Sequence, residues 1–132
     1  MNKYLADTTV VVDMLRGDVL AKRFLEKKPE ISLVTVAELI QGSRDKENLK
    51  IVDKTCRLLP LVSVDAKVSA RAIELLHQYN LSHGLLFLDA LVAASALVRN
   101  RILVTANAKD FKSIEGLKVV LQRDILAKEQ NI

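Results

Sequence analysis

The sequence predicts an α/β fold, a parallel sheet of about five strands with helices on both faces. Two observations carry this. Short apolar runs rich in Val, Ile and Leu recur along the chain, and helical stretches separate them. That alternation is the signature of parallel strands joined by crossover helices. No internal repeat, low-complexity tract or linker breaks the series. The 132 residues fit a single domain spanning 1–132, with a core over about 3–121 and a C-terminal tail over 122–132.

Lys3 to Asp7 reads as the first strand and ends on an acid. Thr8 and Thr9 can cap a helix whose buried side takes Val10, Val11, Val12, Met14 and Leu15 before Gly17 stops it. The three valines favour a strand by propensity, so the helix rests on its start and stop signals. Asp18 caps a second helix that runs to Lys28 and is closed by Pro29. Ile31 to Val34 is the second strand. Thr35 starts a helix through Ile40 that ends at Gly42. Asp45 to Leu59 has helical spacing at Leu49, Val52, Cys56 and Leu59. Leu61 to Val64 is the third strand, and Asp65 caps a long helix to about Tyr79. Asp89 opens a strongly apolar helix through Val98. Ile102 to Thr105 and Lys118 to Leu121 are the fourth and fifth strands, and the polar last eleven residues fray or form a short tail helix.

Composition excludes several functions. No apolar run reaches the ~18 residues of a membrane span. The first seven residues meet an acid too early for a signal-peptide core. Cys56 is the single cysteine, so an internal disulfide and a cysteine zinc site are out, and a cytoplasmic location is the default expectation. Three Phe, two Tyr and no Trp give little for base-stacking platforms. Lys and Arg outnumber Asp and Glu by 20 to 16, a net charge of +4. That mild excess fits a polyanionic partner or a plain solvated surface equally well.

In parallel sheets ligands bind beyond the carboxyl ends of the strands. Asp7 closes the first strand, Glu38 lies early in the helix after the second, and Asp89 starts the apolar helix before the fourth. Asn107 and Asp110 follow the fourth strand. One sheet edge can gather them all. Glu38 and Asp89 are charges set in apolar surroundings, a costly position unless something compensates. Carboxylates brought together repel, and at least one then holds its proton more tightly. A hard divalent cation such as Mg²⁺ or Mn²⁺ removes the repulsion, takes oxygen ligands and can activate a water against a phosphodiester. Taken one at a time, each acid has a plainer reading: a capping residue at Asp7 or Asp89, a solvated or paired acid at Glu38, a turn acid at Asp110. Asp13, His77, His83 and Cys56 show no ligand spacing. There is no glycine-rich phosphate loop and no nucleophile elbow around Ser43, Ser69 or Ser95.

Read as motifs, these stretches resemble the PIN-domain ribonucleases, and among them the VapC-type toxins of toxin–antitoxin pairs. The resemblance runs from about Lys3 to Val120. It rests on Tyr4-Leu5-Ala6-Asp7-Thr8 with Asp13-Met14-Leu15-Arg16-Gly17, on Val34-Thr35-Val36-Ala37-Glu38-Leu39-Ile40-Gln41-Gly42, on Asp89-Ala90-Leu91-Val92-Ala93-Ala94, and on Val104-Thr105 through Asn107, Asp110 and Phe111. It implies an α/β/α sandwich, a Mg²⁺- or Mn²⁺-dependent endoribonuclease, a homodimer, and silencing by a small antitoxin. Asp7, Glu38 and Asp89 match the three core acids. At the fourth acidic position Asn107 stands where many members have Asp, with Asp110 nearby to supply the charge. Thr8 and Thr105 match polar residues lining the site, and Arg16 matches a basic residue near it. The usual Asp-Thr-Asn or Asp-Thr-Ser is Asp-Thr-Thr here, which keeps a hydroxyl at Thr9. Two alternatives stay beside the toxin reading: an RNA-processing nuclease without an antitoxin, and a PIN module that binds RNA or a partner without cutting. Phosphoryl transfer through an aspartyl-phosphate finds no support. Thr9 occupies the place of a second catalytic Asp, and Asp7 has no acidic neighbour to pair with Asp65.

Overall fold

The computed structural model describes residues 2–125. At its centre is strand β1 (Tyr4–Ala6), followed by α1 (Thr8–Leu15) and α2 (Val19–Leu25). Next come β2 (Glu30–Ser32), α3 (Leu33–Gln41), α4 (Lys46–Arg57) and β3 (Leu61–Val62). The long α5 (Ala66–His83) and α6 (Phe87–Arg99) lead into β4 (Ile102–Thr105), a short 3₁₀ turn over Ala108–Asp110, and β5 (Val119–Leu121). The strands form one parallel sheet in the order β3-β2-β1-β4-β5, in which Leu5 pairs with both Glu30 and Leu103. The chain therefore moves outward from β1 to β2 and β3, then returns to the far side of β1 as β4. That reversal creates a switch point between β1 and β4, where parallel sheets place their ligand sites.

Side-chain alternation along each strand feeds two cores. Leu5 and Leu103 are fully buried against Val68, Leu75, Ala90 and Ala94, on the side covered by α5 and α6. Their strand neighbours Ala6 and Val104 face Val10, Phe24, Ile31 and Val52, on the side covered by α1, α2 and α4. This is the α/β/α sandwich expected. Helix α6 is buried along Ala90, Ala93, Ala94 and Ala96, so small side chains let it lie close to the sheet. Enlarging one of them would cost roughly 1–3 kcal/mol in overpacking.

The caps predicted at Asp18 and Asp65 operate, and Asp45 caps α4 in the same way. Asp18, Asp45 and Asp65 accept the backbone N–H groups of Ala21, Asn48 and Val68 at 3.0, 2.7 and 2.9 Å. Several boundaries differ from the sequence expectation, among them the third strand, which ends at Val62 rather than Val64. The third helix starts at Leu33 rather than Thr35, because Ser32 caps it by accepting the Val34 N–H at 3.1 Å. The second strand accordingly ends at Ser32 rather than Val34. The second helix stops at Leu25 rather than Lys28, and Lys28 itself adopts a left-handed φ of 55° before Pro29. The fifth helix runs on to His83, where Gly84 at φ 70° ends it with the left-handed turn that glycine makes without strain. Thr8 and Thr9 are the first residues of α1 and not its caps; Asp7 holds the cap position. Helical conformation begins at Gln122, and the remainder of the expected tail, 126–132, lies outside the described residues.

Candidate active site

At the carboxyl ends of β1 and β4 the switch point opens into a cleft of about 340 Å³. Asp7, Glu38, Asp89, Asp110 and Asn107 all line it, together with Thr8, Thr9, Asp13 and Arg16. Every expected acid therefore reaches one place. Helix geometry explains how. Glu38 lies three residues after the buried Thr35 and four after the buried Val34, so the inner face of α3 carries it toward α1. Asp89 lies three and four residues before the buried Val92 and Ala93, so the first turn of α6 points it inward.

Asp7 is held by hydroxyls. It occupies the cap position of α1, yet its carboxylate makes no capping bond. Instead Oδ2 accepts from Thr9 Oγ1 and from Thr105 Oγ1, each at 2.9 Å. The two threonine oxygens also stand 3.1 Å apart. Each hydroxyl has one proton, and the other partners decide where it goes. Thr9 Oγ1 accepts the Ala106 N–H at 3.0 Å, which leaves its proton for Asp7. Thr105 Oγ1 accepts the Asn107 N–H at 3.2 Å and directs its proton to Asp7 Oδ2 at 2.9 Å, with the Asn107 carbonyl a longer second acceptor at 3.1 Å. One carboxylate oxygen is thus fixed by two donors and the other is left for the cleft.

Glu38 is held in the same way. Thr8 Oγ1 lies 2.9 Å from Glu38 Oε1 and 2.9 Å from the hydroxyl of Thr35, which is completely buried. Donation runs from Thr35 to Thr8 to the carboxylate. Thr8 and Thr105 were expected at the site from sequence. Thr35 and the positioning role of Thr9 were not; their signal was a buried hydroxyl on the helix face that carries Glu38 and the second Thr after Asp7.

Asp89 is half-buried and makes no side-chain capping bond; α6 begins two residues earlier, at Phe87. Burial raises its carboxyl first, and the charges of Asp7, Asp110 and Glu38 raise it further, to about 6. The repulsion expected from clustered acids is present, and Asp89 carries it. Asn107 is exposed, and its Oδ1 accepts the Lys109 N–H at 3.1 Å as the cap of the 3₁₀ turn. Asp110 lies close enough for its charge to act on Asp89, and the uncharged Asn107 lines the same cleft. Asp13, read as a solvated or paired acid, lines the cleft and accepts from Gln122 Nε2 at 3.1 Å. His77, His83 and Cys56 stay away from the cleft.

Among the described residues, no three acidic, His or Cys side chains are drawn together tightly enough to grip an ion alone. The donor set is nonetheless all oxygen. Mg²⁺ keeps several waters and takes only one or two carboxylates directly. A ring of mutually repelling carboxylates around an open cleft fits a hydrated hard cation and does not fit a closed four-ligand site.

An acid-lined cleft at the switch point of a parallel sheet between helix layers defines the class. The family model of the PIN domain matches residues 4–117, and the chain belongs to the PIN-domain family. Among curated relatives it is similar to ribonuclease VapC10 of Mycobacterium tuberculosis, 34% identical over 122 residues that cover 86% of this chain and 90% of the relative. It is also similar to ribonuclease VapC1 of Rickettsia felis, 30% identical over 127 residues covering 88% and 93%. Among solved structures it resembles a chain of VapBC2 from Rickettsia felis bound to a DNA fragment from their promoter. There the TM-score is 0.78 and the identity 28%, with 89% of this chain and 97% of that one covered.

Proposed function

We propose that this chain is a metal-dependent endoribonuclease and the toxin of a VapBC-type pair. The observation that carries the catalytic reading is the gathering of Asp7, Glu38, Asp89 and Asp110 in one cleft, with Asp89 pushed up to about 6 by burial and its neighbours. Kinship with proteins named VapC ribonucleases supplies the substrate class. Asp7, Glu38 and Asp89 would hold Mg²⁺ or Mn²⁺ directly or through water, with Asp110 completing the ring and Asn107 beside it. The cation, when bound, supplies a positive charge that activates water and stabilises developing charge on the phosphodiester. The chain's own residues do the positioning. Thr9 and Thr105 fix Asp7, Thr8 and Thr35 fix Glu38, and α6 presents Asp89. Arg16, on the cleft wall, offers a guanidinium to RNA phosphate.

An antitoxin needs somewhere to bind. A groove of about 380 Å³ lies between α2 and α4, lined by Met14, Leu25, Leu58 and Leu59 for an apolar helix and by three lysines, Lys22, Lys28 and Lys54, against one acid, Glu26. A short amphipathic helix with acids flanking its apolar stripe matches that chemistry. Leu81, Leu86, Phe87 and Leu88 give an exposed apolar surface suited to a second copy. No helix among the described residues is long and apolar enough to cross a membrane.

The test is cleavage of total RNA by purified protein with Mg²⁺, with Mn²⁺ and with EDTA, beside Asp7→Asn. Metal-dependent cleavage that drops roughly a hundredfold or more in the variant is the expected result. RNA binding without cleavage under any metal would overturn the nuclease reading and leave a binding module.

A further inference from the structure

A second cleft, of about 470 Å³, continues from the acidic one. The two share Thr8, Val12, Arg16 and Glu38, so they form one trough. Beyond Glu38 the trough runs past the end of α3 to Arg44 and Asn48, at the mouth formed by the start of α4. The backbone at this mouth is fixed. The Arg44 N–H donates to Asn48 Oδ1 at 3.2 Å, and the Asn48 N–H donates to Asp45 Oδ1 at 2.7 Å. The side chains of Arg16 and Arg44 are both exposed, and among the described residues neither has an ion-pair partner. Arg71, Arg99 and Arg101 are paired with glutamates, and Arg23 and Arg57 have no ion-pair partner among the described residues either, so it is their place on the trough wall that sets Arg16 and Arg44 apart. A trough with carboxylates at one end, Arg16 where the two clefts join and Arg44 in the far arm matches a polyanion whose reacting group sits at the acids.

We propose that this arm holds the single-stranded RNA flanking the phosphate to be cut, with Arg44 and Arg16 each neutralising a backbone phosphate and Asn48 facing the nucleotide between them. The proposal rests on the nuclease reading and adds the path of the strand. Guanidinium forks suit phosphate, and their planes accept an unstacked base where aromatics are absent. The arm suits RNA better than a helical peptide, for which the apolar groove between α2 and α4 is the better seat.

The experiment measures fluorescence anisotropy of a labelled single-stranded RNA oligonucleotide in EDTA across a salt series. Wild type, Arg44→Ala, Arg16→Ala and Arg44→Lys are compared, with Lys67→Ala on α5 as a charge control. Each alanine variant should bind about tenfold more weakly. Each should also lower the slope of log affinity against log salt by about 0.7. Arg44→Lys should keep the slope, and the control should match wild type. In cleavage assays Arg44→Ala should raise KM while leaving kcat near wild type. Unchanged affinity and slope in Arg44→Ala, beside normal cleavage, would overturn the strand path and leave the nuclease reading standing; the arm would then be open to a polypeptide. The expected binding losses in a protein that cuts no RNA would keep the strand path and remove the nuclease.

Discussion

Asp89 bears the repulsion of the acid cluster, and that makes its proton a probe of the site. In the folded chain its carboxyl titrates at about 6, against an ordinary value of 3.8. The native state therefore binds this proton more tightly than the unfolded chain does. Stability contributed at low pH falls as pH rises from 3.8 to about 6 and is flat above. Asp89→Asn removes that slope. Melting curves of the metal-free protein should show wild type and variant alike near pH 4 and the variant more stable near pH 7; parallel profiles across that range would show that Asp89 does not carry the strain. Added Mn²⁺ should raise the wild-type Tm at pH 7 by roughly 5–10 °C, because it relieves the same repulsion, and should do little for Asp89→Asn. The threonines give a second test at this scale. Thr9→Val removes one of two donors to Asp7 and should lower RNA cleavage about ten- to hundredfold. Thr9→Ser keeps the hydroxyl and should stay near wild type. A loss in Thr9→Ser with Thr9→Val near wild type would mean that packing of the methyl group, and not the hydrogen bond, is what matters at this position.

At the scale of elements, the strands and the order of helices were legible because their apolar runs and caps are local signals. The placement of Asp7, Glu38 and Asp89 was legible for the same reason: each sits at a strand end or helix start. What could not be read is where partners lie far apart in sequence. Thr35 supporting Glu38 through Thr8, and Gln122 holding Asp13, are contacts between distant segments. The ion-pair cluster at the opposite edge of the sheet is another. Glu30, the first residue of β2, is buried; its carboxylate takes Arg99, whose Nε is at 2.9 Å, and Arg101, whose Nε is at 2.8 Å. Burial alone would raise the Glu30 carboxyl, but hydrogen bonds from Arg99 and then Arg101 outweigh it and hold it below its usual value. This cluster ties the start of β2 to the end of α6 and the approach to β4. Glu30→Gln should destabilise the protein by about 2 kcal/mol near neutral pH, leaving two guanidiniums without their carboxylate. Because the native carboxyl is depressed, its contribution is full above the unfolded-state value near 4.5 and fades as pH falls below it. Denaturant unfolding of both proteins at pH 7 and near pH 3 should show the difference shrinking in acid. A constant difference would mean the cluster stabilises through packing rather than charge.

For the whole molecule, the fold separates three surfaces by chemistry. The acid-lined trough opens at the carboxyl end of the sheet, and the apolar groove between α2 and α4 lies on one helix layer. The third surface belongs to the opposite layer, at the turn joining α5 to α6. There Leu81 is 97% exposed, Leu86 67%, Phe87 55% and Leu88 45%, four large apolar side chains within eight residues. Scattered exposed leucines are ordinary, but a run of this size is not easily left in water. Its position also matters, because Phe87 and Leu88 immediately precede Asp89. A second copy covering this turn would fix the first turn of α6 and with it the orientation of Asp89. The double variant Leu81→Glu, Phe87→Glu should therefore convert a dimer to a monomer in sedimentation equilibrium while circular dichroism stays native, since neither side chain is buried in the chain itself. It should also lower RNA cleavage, and the loss should appear in kcat rather than in KM. A wild-type protein that sediments as a monomer at micromolar concentration would remove the second copy from this surface, and full activity in a monomeric variant would separate dimerisation from the chemistry at Asp89.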